Sequence, residues 1–381
     1  MSYGDFVRQL PSGPAALPGE LTIWHRLRID LPLMLLLMIL SGVGLVVLYS
    51  ASDENMRVVA RQSQYLVVAY LAMFFVAQFN IDRLKRLALL AYLCGVMLLI
   101  LVAVMGTGAK GAQRWLDLGG FRFQPSEIMK LVVPMVLAWY RAVHPLPPRF
   151  QQIVISLALI GLPTLLIASQ PDLGTSILIA ASGLFVLFLA GISWRFIFSC
   201  VLLLAASAWP LWQFVLHDYQ KTRVLTLLNP ESDKLGAGWN IIQSKTAIGS
   251  GGWDGKGYLA GTQSHLDFLP ESHTDFIIAV LAEEFGLIGV LGLMVLYMLI
   301  IFRGIWIANQ AKHCFGRLLA GSIVLTFFVY VGVNVGMVSG LLPVVGVPLP
   351  LVSQGGTSLV TLLAGFGILM GLSVEKRLVH Q

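Results

Sequence analysis

The chain is 381 residues long, 57% hydrophobic and only 12% charged, with a formal net charge of +6 and a mean hydropathy of +0.82. A water-soluble fold of this length could not bury so much apolar surface, which excludes a soluble enzyme or binding module and leaves an integral membrane protein. The basic residues are spread over short segments without interleaved aromatics, so the positive charge does not point to nucleic acid.

Residues 1–22 are polar and rich in Pro and Gly, and read as a flexible cytoplasmic arm ahead of one transmembrane domain, 23–381. Ten apolar stretches follow, at 31–50, 64–79, 87–105, 127–143, 152–168, 173–190, 196–216, 276–301, 318–341 and 357–373. Most approach the ~20 residues of a spanning helix, and the second, fourth and sixth are short enough to tilt or re-enter. They are too long and too numerous for a β-barrel. The expected fold is therefore an all-α polytopic bundle of about ten transmembrane helices. The first run is long and lacks a small-residue cleavage site, so no cleavable signal peptide is predicted.

Lys and Arg set the orientation. With the N-terminus inside, the inner segments carry fourteen basic residues, whereas the short outer loops carry five: Arg57, Arg61, Lys110, Arg114 and Arg122. Both termini are then cytoplasmic, and the long hydrophilic segment 217–275 is extracytoplasmic. Its aromatics (Trp239, Trp253, Tyr258, Phe268) predict an ordered loop along the membrane face. Its Gly-rich part fails the phosphate-loop pattern, with Ser250 in place of the first Gly and Gly257 in place of Ser or Thr. Cys94, Cys200 and Cys314 fall in helices or on the inside, so no structural disulfide is expected, and no metal-ligand spacing appears.

In this topology the fourth, sixth, eighth and tenth helices all begin on the outer face, each with unpaired N–H groups and a positive dipole end. Their starts are polar: Gln124-Pro125-Ser126-Glu127, Gln170-Pro171-Asp172, Ser272-His273-Thr274-Asp275 and Ser353-Gln354-Gly355-Gly356-Thr357-Ser358. Capping accounts for each acid taken singly. Pro125 and Pro171 suit first helical positions with Glu127 and Asp172 in the first turn, and Ser272 with Asp275 matches a capping-box-like pattern.

The set asks for more than capping. Lys130 sits three residues after Glu127 on the same face of an apolar helix and needs a partner, either Glu127 or a substrate anion. Gly355 and Gly356 offer backbone N–H groups suited to a phosphate oxygen, and Arg114 and Arg61 add outer cations. An acid in such company is either a charge partner or a base beside a bound pyrophosphate. Glu283 and Glu284 follow Asp275 by eight and nine residues, roughly 12–14 Å deeper along one helix. That depth excludes them from the outer cluster and suggests packing or a second charge network.

These motifs, together with Gly111-Ala112-Gln113-Arg114-Trp115-Leu116 and Phe268-Leu269-Pro270-Glu271, resemble the SEDS family of bacterial cell-wall polymerases over roughly residues 25–377. Gly261-Thr262-Gln263-Ser264 is similar to the family's rod-elongation branch rather than its division branch. The resemblance implies a multi-pass peptidoglycan glycosyltransferase of the bacterial cytoplasmic (inner) membrane, with its active site on the extracytoplasmic face. It would polymerise lipid II, the undecaprenyl-pyrophosphate-linked disaccharide peptide. The resemblance further implies that Asp275 is the essential acid, and that a class B penicillin-binding protein, a transpeptidase of the elongation machinery, is the partner.

Asp275 is thus the candidate catalytic residue. The candidate substrate-binding set is Glu127, Lys130, Arg114, Asp172, Gln124, His273, Arg61, Ser353, Gln354, Gly355, Gly356 and Thr357. No cofactor is implied beyond a divalent cation (Mg or Mn) as one means of neutralising the diphosphate. The competing class is a transporter such as a lipid II flippase, which ten helices with intramembrane charges also fit. A third is a non-catalytic scaffold in which the acids serve as caps.

Overall fold

A computed structural model describes residues 27–109, 112–117, 122–215, 218–233, 237–265 and 272–377. The predicted arm 1–22 and the Phe268–Glu271 motif lie outside the described residues. In chain order the helices are α1 Leu31–Ala51, α2 Met56–Ala77, α3 Ile81–Met105, α4 Pro125–Val143, α5 Phe150–Ala168, α6 Leu173–Leu189 and α7 Trp194–Pro210. They continue with α8 Asp218–Leu228, α9 Ala237–Gly251, α10 Thr262–His265, α11 Ile277–Gln310, α12 Cys314–Val338 and α13 Thr357–Arg377.

Seven of these are long and apolar enough to cross a membrane: α1, α2, α3, α5, α11, α12 and α13. The shorter α6 and α7, and α4 with Glu127, Lys130 and Arg141, complete the ten expected spans. The second span is full length at 22 residues, because Arg57, Arg61 and Gln62 in its first turns extend it beyond the apolar run. One departure from helix is a small antiparallel sheet between α3 and α4, in the order β1 Thr107–Ala109, β2 Ala112–Asp117, β3 Arg122–Phe123.

The spans α12 and α13, with 61% of their apolar windows buried against 22% for α2, and α4, with 13 of its 19 residues buried, are the most enclosed and form the centre. The hydrogen bonds fix the ends of the bundle. Asp30, which caps α1, pairs with Arg303 of α11 at 2.7 Å, while Ser50, at the far end of α1, donates to Glu284 near the start of α11. The two helices are therefore antiparallel neighbours, and Arg303 marks the end away from the polar helix starts, as the positive-inside reading requires.

The eighth span is not one straight helix. Gly286 adopts φ 65, ψ −162 and breaks α11 into a short buried piece, Ile277 to Phe285, and the membrane-spanning remainder. A break inside a membrane helix leaves backbone groups that must be paired by other protein. Here the Gly-rich outer segment pairs them. Lys256 N and Gly257 N donate to Glu283 O and Glu284 O (both 3.0 Å), while Leu287 N and Ile288 N donate to Gly252 O and Trp253 O (3.0 and 3.2 Å).

Glu283 and Glu284 lie before the break, on the short piece, which is continuous helix from Ile277. Glu283 belongs to a second charge network, as expected from sequence, and ties the outer loop down by accepting from Lys256 Nζ (2.6 Å), Thr262 N (2.8 Å) and Gln263 N (3.1 Å). The Gly-rich stretch owes its composition to the same contact. A Cβ on Gly255 would stand 2.1 Å from Glu284 O, and one on Gly286 would stand 2.4 Å from Trp253 O. Gly286→Ala is accordingly expected to destabilise the fold by about 1–3 kcal/mol from backbone conformation alone. Thermal unfolding in detergent would read this as a lower midpoint, and an unchanged midpoint would count against the pairing.

Candidate active site

The start of α4 is laid out as its sequence suggests. Gln124 is the N-cap, with Pro125 at the first helical position and Glu127 in the first turn. Glu127 and Lys130 form a buried pair at 2.7 Å, and Glu127 Oε2 also accepts from Thr361 of α13 (3.1 Å). The Lys130 ammonium lies 5.2 Å from the ring centroid of Tyr330 on α12. Of the two partners open to Lys130, the structure supplies Glu127. The adjoining cavity, lined by Lys130, Thr326, Tyr330, Ser358 and Thr361, is about 30 Å³, too small for a sugar.

At the start of α6, Asp172 is itself the N-cap and accepts from Thr175 N (3.3 Å), so the helix begins at Leu173 and not at Pro171. Gln124 Nε2 reaches Asp172 Oδ2 at 3.3 Å and joins the first two helix starts directly.

Asp275 lies in the turn 272–276 that precedes α11. The capping-box expectation for Ser272 and Asp275 does not hold, because the helix begins two residues after Asp275 with Phe276 as N-cap. Ser272 Oγ instead donates to Ala51 O (3.1 Å). Three consecutive main-chain oxygens of the turn are tethered by separate donors. His273 O accepts from Gln354 N (3.0 Å), Thr274 O from Ser353 Oγ (2.5 Å) and Asp275 O from Asn334 Nδ2 (2.8 Å). The side chain of Asp275 is partly exposed, and a Cβ on Gly346 would stand 3.5 Å from its Oδ2. The segment around Gly346 therefore runs along the carboxylate as a wall.

The start of α13 is less open than expected. Gly355 N donates to Gln62 Oε1 (3.2 Å), and Gly356 lies against the ring of Tyr65, 3.4 Å from where its Cβ would be. The Gly-Gly pair is thus engaged by α2 and is not a bare anion cradle, which leaves the partly exposed Thr357 as the first residue of the helix. Gln62 is 2% exposed and also donates to Ser353 O (3.2 Å), so a single amide secures both sides of the loop. Arg61 is exposed beside this start, 5.9 Å from the Tyr65 ring centroid. Arg114 falls on β2 in the outer connection between α3 and α4.

The four predicted helix starts thus meet at one end of the bundle. Sequence reasoning missed Gln62, Tyr65, Tyr330, Asn334 and Thr361, which hold them together. Gln62 and Asn334 carried a readable signal, each being a polar side chain in a membrane helix that demands a partner. Gln62→Leu should cost about 1–3 kcal/mol, because it strands the buried Ser353 carbonyl and removes the acceptor of the half-buried Gly355 N–H. Amide hydrogen exchange at 353–356 should rise, and unchanged protection there would refute the anchoring role.

The family model described as Cell cycle protein, FTSW_RODA_SPOVE, matches residues 30–378. The peptidoglycan glycosyltransferase MrdB of Escherichia coli K12 is 52% identical over 364 residues, covering 96% of this chain and 98% of the relative. The peptidoglycan glycosyltransferase RodA of Treponema pallidum is 31% identical, covering 91% and 98%. Among solved structures, a chain reported under structural coordination of polymerization and crosslinking by a peptidoglycan synthase complex is similar with a TM-score of 0.79. It is 31% identical, with 91% of this chain and 98% of that chain covered. The rod shape determining protein RodA of Thermus thermophilus has a TM-score of 0.70 at 28% identity, covering 91% and 97%.

Proposed function

The chain belongs to the FtsW/RodA/SpoVE family, and from that premise we propose that it is a peptidoglycan glycosyltransferase that polymerises lipid II for cell-wall elongation, with Asp275 as general base. The observation that carries this reading is the partly exposed Asp275, set in a tethered turn where four helix starts converge. In the proposed step Asp275 takes the proton from the 4-hydroxyl of an acceptor GlcNAc as that oxygen attacks the anomeric carbon of a donor MurNAc. The O4–C1 bond forms while the C1–O bond to diphosphate breaks. A single displacement on the α-linked donor gives a β-1,4 linkage with inversion.

The leaving diphosphate meets the positive ends of α4, α6 and α13 and the outer cations Arg61 and Arg114. Lys130 acts indirectly, since its ammonium is spent on Glu127. Among the described residues no group of three His, Cys, Asp or Glu converges. The described residues therefore hold no dedicated cage for Mg or Mn, and such a cation would enter held largely by the diphosphate.

In this reading the site faces the extracytoplasmic side of the bacterial inner membrane. The partner is a class B penicillin-binding protein that crosslinks the nascent strand, a pairing supported by the similarity to a chain of a peptidoglycan synthase complex. Purified protein in detergent, alone and with a class B partner, should convert labelled lipid II into glycan strands. Detergent micelles have no second compartment, so a flippase would yield no polymer. Absence of polymer under both conditions would overturn the reading.

A further inference from the structure

Asn334 is fully buried in α12, one turn beyond Tyr330. Its Nδ2 donates to two main-chain oxygens from different segments, Asp275 O and Val347 O, each at 2.8 Å. Both partners are carbonyls and accept only, so the amide must present its NH2 to them, and the orientation is settled by chemistry. No donor among the described residues reaches Asn334 Oδ1. The amide is therefore placed for its two donated bonds.

The two clamped points flank the proposed base. Asp275 O belongs to the base itself, and Val347 follows Gly346, whose open face borders the Asp275 carboxylate. Val345 O in turn packs on Gly174 at the start of α6, where a Cβ would stand 2.7 Å from it. One turn back on α12, Tyr330 lies under the Lys130 ammonium. A single face of α12 thus holds the base, its wall and the cation pair in fixed relation, with anchor points ~6 Å apart along the axis.

We propose that Asn334 is a positioning residue for glycosyl transfer. By bridging the Asp275 and Val347 carbonyls, it sets the distance between the carboxylate and the wall along which the acceptor hydroxyl must approach. This inference rests on the reading of Asp275 as the base. It differs from a packing role in one measurable respect. Misplacing a base by a fraction of an ångström to an ångström slows the chemical step and leaves substrate binding intact.

The test uses full-length protein in detergent with lipid II, comparing wild type with Asn334→Asp and Gly346→Ala. Asn334→Asp keeps the size of the side chain and, when ionised, turns the double donor into an acceptor facing two carbonyls. It should lower kcat about 10- to 100-fold, with KM and lipid II binding held within about two-fold, and it should lower the thermal midpoint, because two buried carbonyls lose their donors. Gly346→Ala retains the clamp but adds a methyl on the carboxylate side of the wall at a position with φ 75. It should show the same loss confined to kcat, and it decides the matter if Asn334→Asp does not fold. A folded Asn334→Asp with wild-type kcat overturns the proposal, as does a fall in lipid II binding large enough to account for the fall in rate. If Asp275→Asn still polymerises, the base assignment itself fails, whatever Asn334 shows.

Discussion

Asp275→Asn is expected to give a folded protein that binds lipid II and makes no glycan, with a rate loss of about 10²–10⁴-fold, the range a positioned general base contributes. The fold should survive because all three tethers of the turn end on main-chain oxygens, those of His273, Thr274 and Asp275, which the substitution leaves in place. Asparagine keeps the volume of the carboxylate but is neutral, carries an NH2 donor in place of one acceptor oxygen, and cannot take the proton. The measurement is polymer length and yield from labelled lipid II, beside thermal unfolding and lipid II binding on the same preparation. Full polymerisation by the variant would refute the assignment. Loss of polymer accompanied by collapse of the midpoint would show Asp275 to be a structural residue.

Lys130→Met is expected to be the most damaging single change to stability, by about 3–5 kcal/mol, because it leaves Glu127 charged, buried and without its counter-ion. Glu127 is 5% exposed and Lys130 9% exposed, so neither charge can recover solvent without moving α4. The remaining Thr361 hydroxyl supplies one hydrogen bond to Glu127 and no charge. Removing both charges with Glu127→Gln and Lys130→Met should restore most of the lost stability, since the desolvation cost then disappears along with the attraction. The comparison is made by heat-induced unfolding of the three proteins. If Lys130→Met melts like wild type, the pair carries no such burden.

Much of the site could be read from sequence because helix starts announce themselves chemically. Pro125 with Glu127 and the acid at 172 mark where apolar runs begin, and the positive-inside rule puts those starts on one face. The i,i+3 spacing put Glu127 within reach of Lys130 but left a substrate anion as the other candidate partner, and the structure supplies Glu127. What stayed hidden was contact between distant segments. Gly286 sits in one of the apolar runs, just after Glu283 and Glu284, and nothing local says that its backbone is paired by residues 252–257. A reading in helical periods therefore ran straight through the break, although it did anticipate a second charge network at Glu283, the one formed with Lys256. The capping box at Ser272 failed for a related reason. The turn is held by Ser353, Gln354 and Asn334, so it has no need to cap itself. Gly355 and Gly356 were read as an open cradle because Gln62 and Tyr65 belong to a helix separated from them by most of the chain.

The backbone pairing at the Gly286 break bears on how this protein can be engineered. Residues 252–257 supply hydrogen-bond partners to groups inside a membrane helix, so the outer segment is not a detachable appendage. Trimming it would leave an open seam in hydrocarbon, and a chimera that swaps the segment alone would juxtapose halves that never grew together. Exchanges between relatives should therefore carry 252–257 and 283–288 as one unit. Defects seen in a loop deletion cannot then be credited to a lost docking surface until that seam has been repaired.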